Sequence, residues 1–233
     1  MTGSVRRGHH GPPGPPGPLG HHVLVLAKAP VAGQVKTRLC PPCTLEEACL
    51  VAEAALADTL EAVAECGAPR RVLALDGPPG PWLPPGFDVI PQRGETFAER
   101  LANAWADAGG AGIQIGMDTP QVCASQLDHL LATLDGPAHR ALLGRAEDGG
   151  WWVIGWARPV PHPTRVFSGI PMSTPRTGAL QAQRLRRLGF DVVEAAPERD
   201  IDTAEDLAAI AVGAPTTRTA AVARRIGLAA DVA

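Results

Sequence analysis

The sequence predicts one α/β domain in which a mostly parallel β-sheet is covered by helices on both faces. Short apolar runs typical of buried strands alternate with segments of helical periodicity, and turns rich in Gly and Pro separate many of them. The predicted order begins β-α-β-β-α-β-α, which is typical of parallel sheets. A length of 233 residues suits one large domain and would be cramped for two.

Three strands and one helix are predicted in the N-terminal part. Residues 23–27 are continuously apolar, as in a strand that is buried on both faces. Thr44 and Glu47 have the spacing of a capping box, and the segment after them keeps an apolar stripe at helical spacing. Residues 70–76 and the shorter run 86–92 are the second and third strands.

The central part of the chain continues the alternation. Residues 95–109 form a predicted helix, and residues 112–118 form a central strand. Ser125 and Asp128 are predicted to cap the helix after that strand. The residues expected to face inward from the helix over 95–109 are Phe97, Leu101, Trp105 and Ala108.

The pattern changes in the last third of the chain. Residues 140–146 and 151–157 are predicted strands that bracket a short loop. A helix over 176–188 and a strand over 190–195 follow. Thr203 then caps the next helix together with Asp206.

The two ends are predicted to lie outside the folded domain. Residues 1–21 are rich in Gly, Pro and His, and we expect them to be a disordered or polyproline II tail. The folded domain is expected over residues 22–212. Residues 213–233 are rich in Ala and Thr, and we expect a C-terminal extension that can form a loosely packed helix.

Composition and charge exclude several classes of protein. A formal net charge of −3 argues against a broad nucleic-acid-binding surface. No apolar run approaches the roughly 20 residues that a membrane span needs, and none follows the first arginines as in a signal peptide. We therefore expect a cytoplasmic protein without a nucleic-acid or membrane partner. Cys40 and Cys43 form a CxxC, but no second ligand pair accompanies them, which favours a Pro-rich turn over a metal or redox site.

A cation-rich loop follows the first predicted strand. It contains Lys28, Gly33, Lys36 and Arg38, although it matches neither GxxxxGK[ST] nor GxGxxG. Ligands of open α/β sheets bind at the carboxyl ends of strands, where backbone N–H groups can face an anion. Lys and Arg bind phosphate oxygens, so this loop is a predicted phosphate site. The alternative is a solvated charged face.

Three acidic segments are candidates for the chemistry. Asp118 follows the central strand, where a carboxylate can bind Mg²⁺ or Mn²⁺; a turn before Pro120 is the structural alternative. Glu147 and Asp148 precede two glycines, so either can be a metal ligand or a general base, or the segment is a hairpin turn. Asp202 lies just before a helix cap and can point toward the same site.

A weaker candidate in the same segment is Asp200, whereas Asp206 is assigned to the helix cap. Trp151 and Trp152 alternate in a predicted strand, so one is expected in the core and the other beside a pocket.

Taken together and in order, the four segments resemble the radical-SAM/selenodomain-associated transferases, which are glycosyltransferase-like proteins. The shared pattern is AKAP..G.VKTRL, G.D.P, EDGG with two aromatic residues, and D.DT.EDL, and the resemblance covers residues 23–211. It implies the three-layer, Rossmann-like type A glycosyltransferase fold of nucleotide-diphospho-sugar transferases, with a mixed, mostly parallel sheet. The first and last segments are also similar to small guanylyltransferases of cofactor biosynthesis.

The resemblance also implies roles for particular residues. Gly33, Lys36 and Arg38 match the phosphate-contacting loop, Asp118 matches the metal-binding residue, and Asp202 is the expected second acidic partner. The expected cofactor is Mg²⁺ or Mn²⁺.

Two departures from the family pattern are visible. Met117 precedes Asp118, so a full Asp-x-Asp pair is absent. Trp151 and Trp152 replace the Tyr residues that family members tend to have.

The predicted function is that of a metal-dependent, glycosyltransferase-like enzyme. It would take a group from an NDP-sugar or NTP donor and pass it to a small acceptor, with Glu147 or Asp148 accepting the acceptor's proton. One alternative is a nucleotidyltransferase of cofactor biosynthesis, because the cation-rich loop suits a triphosphate. Another is a nucleotide-binding partner protein without turnover, which the departure at Met117 supports. The donor, the acceptor and the oligomeric state are left open by the sequence.

Overall fold

A single seven-stranded sheet organises residues 20–230, which the computed structural model describes. The predicted tail over residues 1–21 lies almost entirely outside the described residues. The strands are β1 (His22–Lys28), β2 (Arg71–Asp76), β3 (Asp88–Pro91), β4 (Gly112–Ile115), β5 (Arg140–Ala146), β6 (Trp151–Trp156) and β7 (Asp191–Glu198). Their order across the sheet is β3-β2-β1-β4-β6-β5-β7.

Helices connect the strands and cover both faces of the sheet. The described helices are α1 (Leu45–Glu65), α2 (Phe97–Ala108), α3 (Ala124–Thr133), α4 (Thr164–Phe167), α5 (Thr177–Arg187), α6 (Ala204–Gly213) and α7 (Arg218–Arg225). A short 3-10 helix, Thr37–Leu39, lies in the loop between β1 and α1. No helix within residues 20–230 has both the length and the apolar composition that crossing a bilayer requires.

The sheet is parallel except at β6. β1 pairs in parallel with β2 and β4, β2 with β3, and β5 with β7. β6 runs antiparallel to both of its neighbours, β4 and β5, because a tight turn joins β5 directly to β6. The predicted α/β architecture with a mostly parallel mixed sheet is confirmed.

Two apolar clusters fill the space between the sheet and its helices. On the first face, β1, β2 and β4 pack against α1 and α3 through residues such as Val25 and Leu56. On the second face, β1, β2, β5 and β6 pack against α2, α4 and α5, and the tilted rings of Trp105 and Trp156 have their centroids 3.8 Å apart. The buried strands are nearly all apolar, as expected of strands that are covered on both sides.

The predicted helix starts agree with the structure in two cases and are wrong in one. Complete capping boxes join Thr44 to Glu47 and Thr203 to Asp206. The predicted cap of α3 is wrong, because its N-cap is Cys123, which forms no side-chain cap. Asp128 instead accepts a 2.7 Å hydrogen bond from the backbone N–H of Gly67 after α1, so a tertiary contact takes the place of the predicted local one.

Two further expectations change in the structure. The predicted strand over 112–118 ends at Ile115, and the residues after it turn away from the sheet. Phe97, predicted to face inward from α2, is 44% exposed, because it lies in the first turn of the helix, beside a surface cleft.

A third apolar cluster attaches the C-terminal helices to α1. Residues of α6 and α7, such as Leu207 and Ala220, pack against Val51 and Ala55. Asp58, in the middle of α1, accepts hydrogen bonds from the backbone N–H groups of Arg218 (3.0 Å) and Thr219 (2.8 Å). A buried carboxylate therefore holds the N-terminus of α7, where the helix dipole favours negative charge.

The variant Asp58→Ala is expected to destabilise the protein by about 2–3 kcal/mol, because two backbone N–H groups lose a nearly buried charged partner. The matched control is Glu61→Ala, which removes the exposed partner of the same Arg218 side chain and should cost no more than about 1 kcal/mol. Urea unfolding followed by circular dichroism measures both values. Equal losses in the two variants would contradict the anchoring role of Asp58.

Candidate functional site

A cleft opens at the carboxyl ends of β1, β2 and β4. Its volume is about 380 Å³, and the loops after these strands line it together with the β5–β6 turn and the segment before α6. Open α/β sheets bind ligands at this edge, because helix connections leave room there between adjacent loops. The cleft is therefore the candidate ligand-binding site.

The cation-rich loop meets the acidic segment after β4 at this edge. Lys36 is held in a left-handed conformation, at φ 48°, just before the 3-10 helix. Its ammonium lies 2.7 Å from an oxygen of Asp118 and also donates to the backbone carbonyl of Ile201. The Lys36 side chain is only 9% exposed, so this cation is held inside the protein rather than on a solvated face.

Asp118 connects the first and last parts of the site. Its carboxylate is 41% exposed and its backbone carbonyl accepts a 2.9 Å hydrogen bond from the N–H of Ile201. The Sδ atom of Met117 accepts a hydrogen bond from the backbone N–H of Lys28 at 3.4 Å. The residue that departs from the family pattern therefore packs against the end of β1.

Three aspartates from distant segments form a cluster in the cleft. One carboxylate oxygen each from Asp148, Asp200 and Asp202 lies within 4.8 Å of the others. Ile201 is fully buried, whereas Asp200 and Asp202 on either side of it are partly exposed and line the cleft. The cluster does not include Asp118.

Burial and repulsion act on the central member of this cluster. The pKa of Asp200 is raised from 3.8 to about 6; burial is the largest cause, the negative charges of Asp148 and Asp202 contribute, and its own backbone N–H and the Lys36 ammonium oppose the rise. A carboxyl pKa that burial and neighbouring carboxylates raise together is a common property of functional sites.

The β5–β6 turn places Asp148 in the cleft and keeps Glu147 out of it. An oxygen of Asp148 accepts a 2.7 Å hydrogen bond from the N–H of Gly150. Gly149 has φ 90°, and a Cβ there would lie 2.2 Å from the carbonyl oxygen of Pro175, so this position requires glycine. Glu147 forms an ion pair with Arg199 at 2.6 Å and does not line the cleft.

Ion pairs neutralise part of the charge in the cleft. Arg38 lies 2.7 Å from Asp202, and Lys36 lies 2.7 Å from Asp118. Within residues 20–230, Asp148 and Asp200 form no ion pair. The cluster therefore has two uncompensated carboxylates beside two cations that are already paired.

Most of the predicted site residues meet at this edge. Those that line the cleft are Lys28, Arg38, Asp118, Asp148 and Asp202. Lys36 reaches it through Asp118, whereas Gly33 occupies an exposed turn at φ 78° and does not line the cleft.

Sequence reasoning underestimated Asp200 and missed the cleft residues Arg100 and Gln114. The signal for Asp200 was available, because an apolar residue between two aspartates in an extended segment points both carboxylates the same way. Gln114 was visible as the one polar side chain within a buried strand. Arg100 had no such signal.

The cluster is chemically suited to a hard divalent cation. Carboxylate oxygens are the ligands that Mg²⁺ and Mn²⁺ prefer, and three of them converge within 4.8 Å. The negative charges of Asp148 and Asp202 contribute to the raised pKa of Asp200, and a bound cation would offset this repulsion.

Comparison with known proteins agrees with this architecture. Residues 50–174 match the family described as "Uncharacterized protein conserved in bacteria (DUF2064)". The chain belongs to this family. The matched part contains Asp118 and Asp148, whereas the cation-rich loop and Asp202 lie on either side of it. No curated protein has a matching sequence.

Three solved structures share this fold. A candidate nucleotide-diphospho-sugar transferase from Desulfovibrio desulfuricans G20 has a TM-score of 0.76 and 22% identity, over 91% of this chain and 99% of its own. A cytidylyltransferase from Leptospira borgpetersenii serovar Hardjo-bovis has a TM-score of 0.52 and 13% identity, over 89% of this chain and 95% of its own. CMP:2-keto-3-deoxy-manno-octonic acid synthetase, complexed with CTP, has a TM-score of 0.50 and 15% identity, over 84% of this chain and 99% of its own. The DUF2064 chain therefore has the fold of these enzymes.

Proposed function

We propose that this protein is a metal-dependent transferase that binds a nucleotide-activated donor in the cleft and passes a group from it to a small acceptor. One observation carries the proposal. The cation-rich loop and the aspartate cluster share one cleft, where Lys36 pairs with Asp118 and Arg38 with Asp202. A phosphate chain and a divalent cation have complementary charges to these two groups and bind together in many nucleotide sites.

Lys28, Lys36 and Arg38 are the proposed phosphate-binding side chains. Lys28 lines the cleft and has no ion-pair partner among the described residues, so its charge is available to an anion. Arg38 is 69% exposed and can rotate from Asp202 to a phosphate, to which its guanidinium can bind with two parallel hydrogen bonds. Gly33 is assigned a role in the loop turn, because it does not line the cleft.

Asp200 and Asp202 are the proposed metal-binding residues, for Mg²⁺ or Mn²⁺, and Asp148 is the exposed carboxylate beside them. The bound ion would supply positive charge to the donor phosphates as the leaving group departs. Asp118 was the first expectation for this role, and we retain it as a residue that can join the site after releasing Lys36. In the metal-free protein its carboxylate orients the Lys36 ammonium toward the cleft.

Asp148 is the proposed acceptor of the proton from the incoming hydroxyl. It is the exposed member of the cluster, whereas Asp200 and Asp202 are partly buried. Glu147, the other residue considered for this role, is bound to Arg199, and its removal from that pair would have to precede catalysis. A carboxylate at the solvent side of the cluster is reached first by an acceptor.

The donor class is the finer part of the proposal. An NDP-sugar donor and glycosyl transfer are supported by the resemblance to the radical-SAM/selenodomain-associated transferases and by the higher fold similarity to the candidate nucleotide-diphospho-sugar transferase. Nucleotidyl transfer from an NTP is the second candidate, supported by the cations at the first loop. A binding partner without turnover is the alternative from another class, and a cytoplasmic location stays a prediction.

The proposal is tested by a binding screen on the full-length protein. Thermal unfolding is followed with NTPs and NDP-sugars, each with Mg²⁺, with Mn²⁺ and with EDTA. We expect one nucleotide class to raise the melting temperature only when the metal is present, because stabilisation follows ligand binding to the native state. Donor hydrolysis in the same samples would support an enzyme. Metal-independent binding without turnover would favour the binding partner, and absence of all nucleotide binding would contradict both.

A further inference from the structure

A polar side chain interrupts the apolar interior of the central strand. Gln114 lies in β4 opposite Leu24 of β1 and Ile154 of β6, both of which are fully buried. Gln114 is itself only 1% exposed. Register partners point to the same face of a sheet, so the Gln114 side chain lies on the face that α2, α4 and α5 cover.

The amide of Gln114 is not satisfied within the protein. Its Oε1 atom is buried and has no hydrogen-bond partner in the part of the chain that the structure describes. Buried polar atoms are nearly always paired in native proteins, so an unpaired one at a cavity requires an explanation. Gln114 lines the cleft, and no hydrogen bond of Oε1 opposes rotation of the amide toward it.

Two other cleft residues share this property. Arg100 has a buried Nε and Thr119 a buried hydroxyl, and neither atom has a partner among the described residues. Both residues line the same cavity as Gln114. Three residues that line the cleft therefore each have a buried polar atom without a partner.

The walls around this part of the cleft are flat or apolar. Phe97 is 44% exposed, although it is a large hydrophobic residue, and it lines the cleft together with Leu101. Trp151 and Met172 also line it and pack against the apolar cluster of the same face. Aromatic and thioether side chains suit the face of a planar ring.

We propose that Gln114 determines specificity by hydrogen bonding to the edge of a planar, uncharged heterocycle that enters the cleft on the α2 face. A Gln amide presents a donor and an acceptor side by side, and such a pair matches the edge of a nucleobase. The ring itself would lie against the aromatic walls. Rejection of other ligands follows from the cost of leaving the amide unpaired. This inference rests on the proposed function, since the heterocycle belongs either to the nucleotide donor or to a heterocyclic acceptor.

The test compares wild type, Gln114→Met and Gln183→Met in the full-length protein. Met is close to Gln in length but cannot replace its hydrogen bonds, and Gln183 is an exposed residue of α5 that serves as the control. The ligands are ATP, GTP, CTP and UTP, inorganic triphosphate, and the four free bases with and without triphosphate. All are measured by isothermal titration with Mn²⁺. Because Met removes an unsatisfied buried group, Gln114→Met should be at least as thermally stable as wild type.

The two sources of the heterocycle give different results. If it is the donor's base, Gln114→Met weakens the best NTP by about tenfold or more and leaves inorganic triphosphate unchanged within about twofold. If it is the acceptor, NTP affinities stay unchanged, and a free base that binds wild type weakens by about tenfold or more.

Other results would overturn the inference. One is an unchanged affinity of Gln114→Met for every heterocycle. Another is a wild-type protein that binds inorganic triphosphate, binds no NTP more tightly than triphosphate, and binds no free base. Failure of the proposed function is distinguishable, because inorganic triphosphate and all nucleotides would then fail to bind with Mn²⁺. The free bases measured alone would still decide the role of Gln114.

Discussion

The variant Asp200→Asn is expected to lose metal-dependent nucleotide stabilisation while its metal-free form becomes more stable than wild type. A carboxylate oxygen of Asp200 lies within 4.8 Å of one from Asp148 and one from Asp202, so the substitution removes a proposed metal ligand and a repelling charge together. We expect the apparent affinity for Mn²⁺ to fall by about 100-fold or more, since a lost charged ligand in a small cluster costs several kcal/mol. Mn²⁺ titration with saturating nucleotide, followed by thermal unfolding, measures the change.

The metal-free gain in stability has a defined pH dependence. Folding raises the pKa of Asp200 from 3.8 to about 6, so the folded state resists deprotonation. The destabilising contribution of Asp200 is therefore absent below the unfolded value, grows as the pH rises, and is complete above the folded value. Asp200→Asn should match wild type well below pH 3.8 and exceed it by about 1–2 kcal/mol above about pH 6, after discounting for partial exposure.

Two further variants make this result specific. Asp191→Asn removes an exposed carboxylate at the start of β7. It should change neither the apparent affinity for Mn²⁺ nor the metal-free stability. Asp148→Asn removes the exposed member of the cluster, and we expect turnover to fall far more than metal-dependent donor binding. An Asp200→Asn protein that is destabilised in EDTA and still responds fully to Mn²⁺ would contradict the metal site.

The variant Lys36→Met is expected to weaken di- and triphosphate binding by about 100-fold while leaving nucleosides nearly unchanged. The Lys36 side chain is 9% exposed, so its charge acts in a poorly solvated environment where charge-assisted hydrogen bonds are strong. Its loss also leaves the Asp118 carboxylate unpaired beside the phosphate site, which adds repulsion. Titration calorimetry with a nucleoside and its triphosphate measures the two affinities.

Arg187→Met is the matched control for Lys36→Met. Arg187 is an exposed cation of α5 that does not line the cleft, and its replacement by Met changes the net charge by the same amount. Equal weakening of nucleoside and triphosphate in Lys36→Met would mean that the loop has lost its shape rather than a phosphate contact.

Asp118→Asn distinguishes the two roles considered for Asp118. If the carboxylate mainly orients Lys36, the variant releases that cation, and metal-free triphosphate binding should improve. If Asp118 joins the metal site, metal-dependent binding should instead fall, as in Asp200→Asn. The pairing between Lys36 and Asp118 at 2.7 Å makes both effects measurable in one variant.

Local patterns predicted much of the fold. The apolar runs of β1 and β2 and the capping boxes of α1 and α6 are determined by neighbouring residues, so they can be read from a short window. The cap of α3 failed because Asp128 bonds to Gly67, which is 61 residues away in sequence. A competing tertiary partner cannot be seen in a local pattern.

The site shows the same division. The sequence by itself determined that Lys36, Asp118, Asp148 and Asp202 follow or flank strands, and the carboxyl ends of parallel strands share one edge. Only the tertiary structure decided that Asp148 faces the cleft while the adjacent Glu147 pairs with Arg199, that Asp200 completes the cluster, and that Lys36 takes Asp118 as its partner. The physical reason is that strand periodicity sets the direction of a side chain, whereas its partner is the opposite charge that the packed chain brings within a few ångströms.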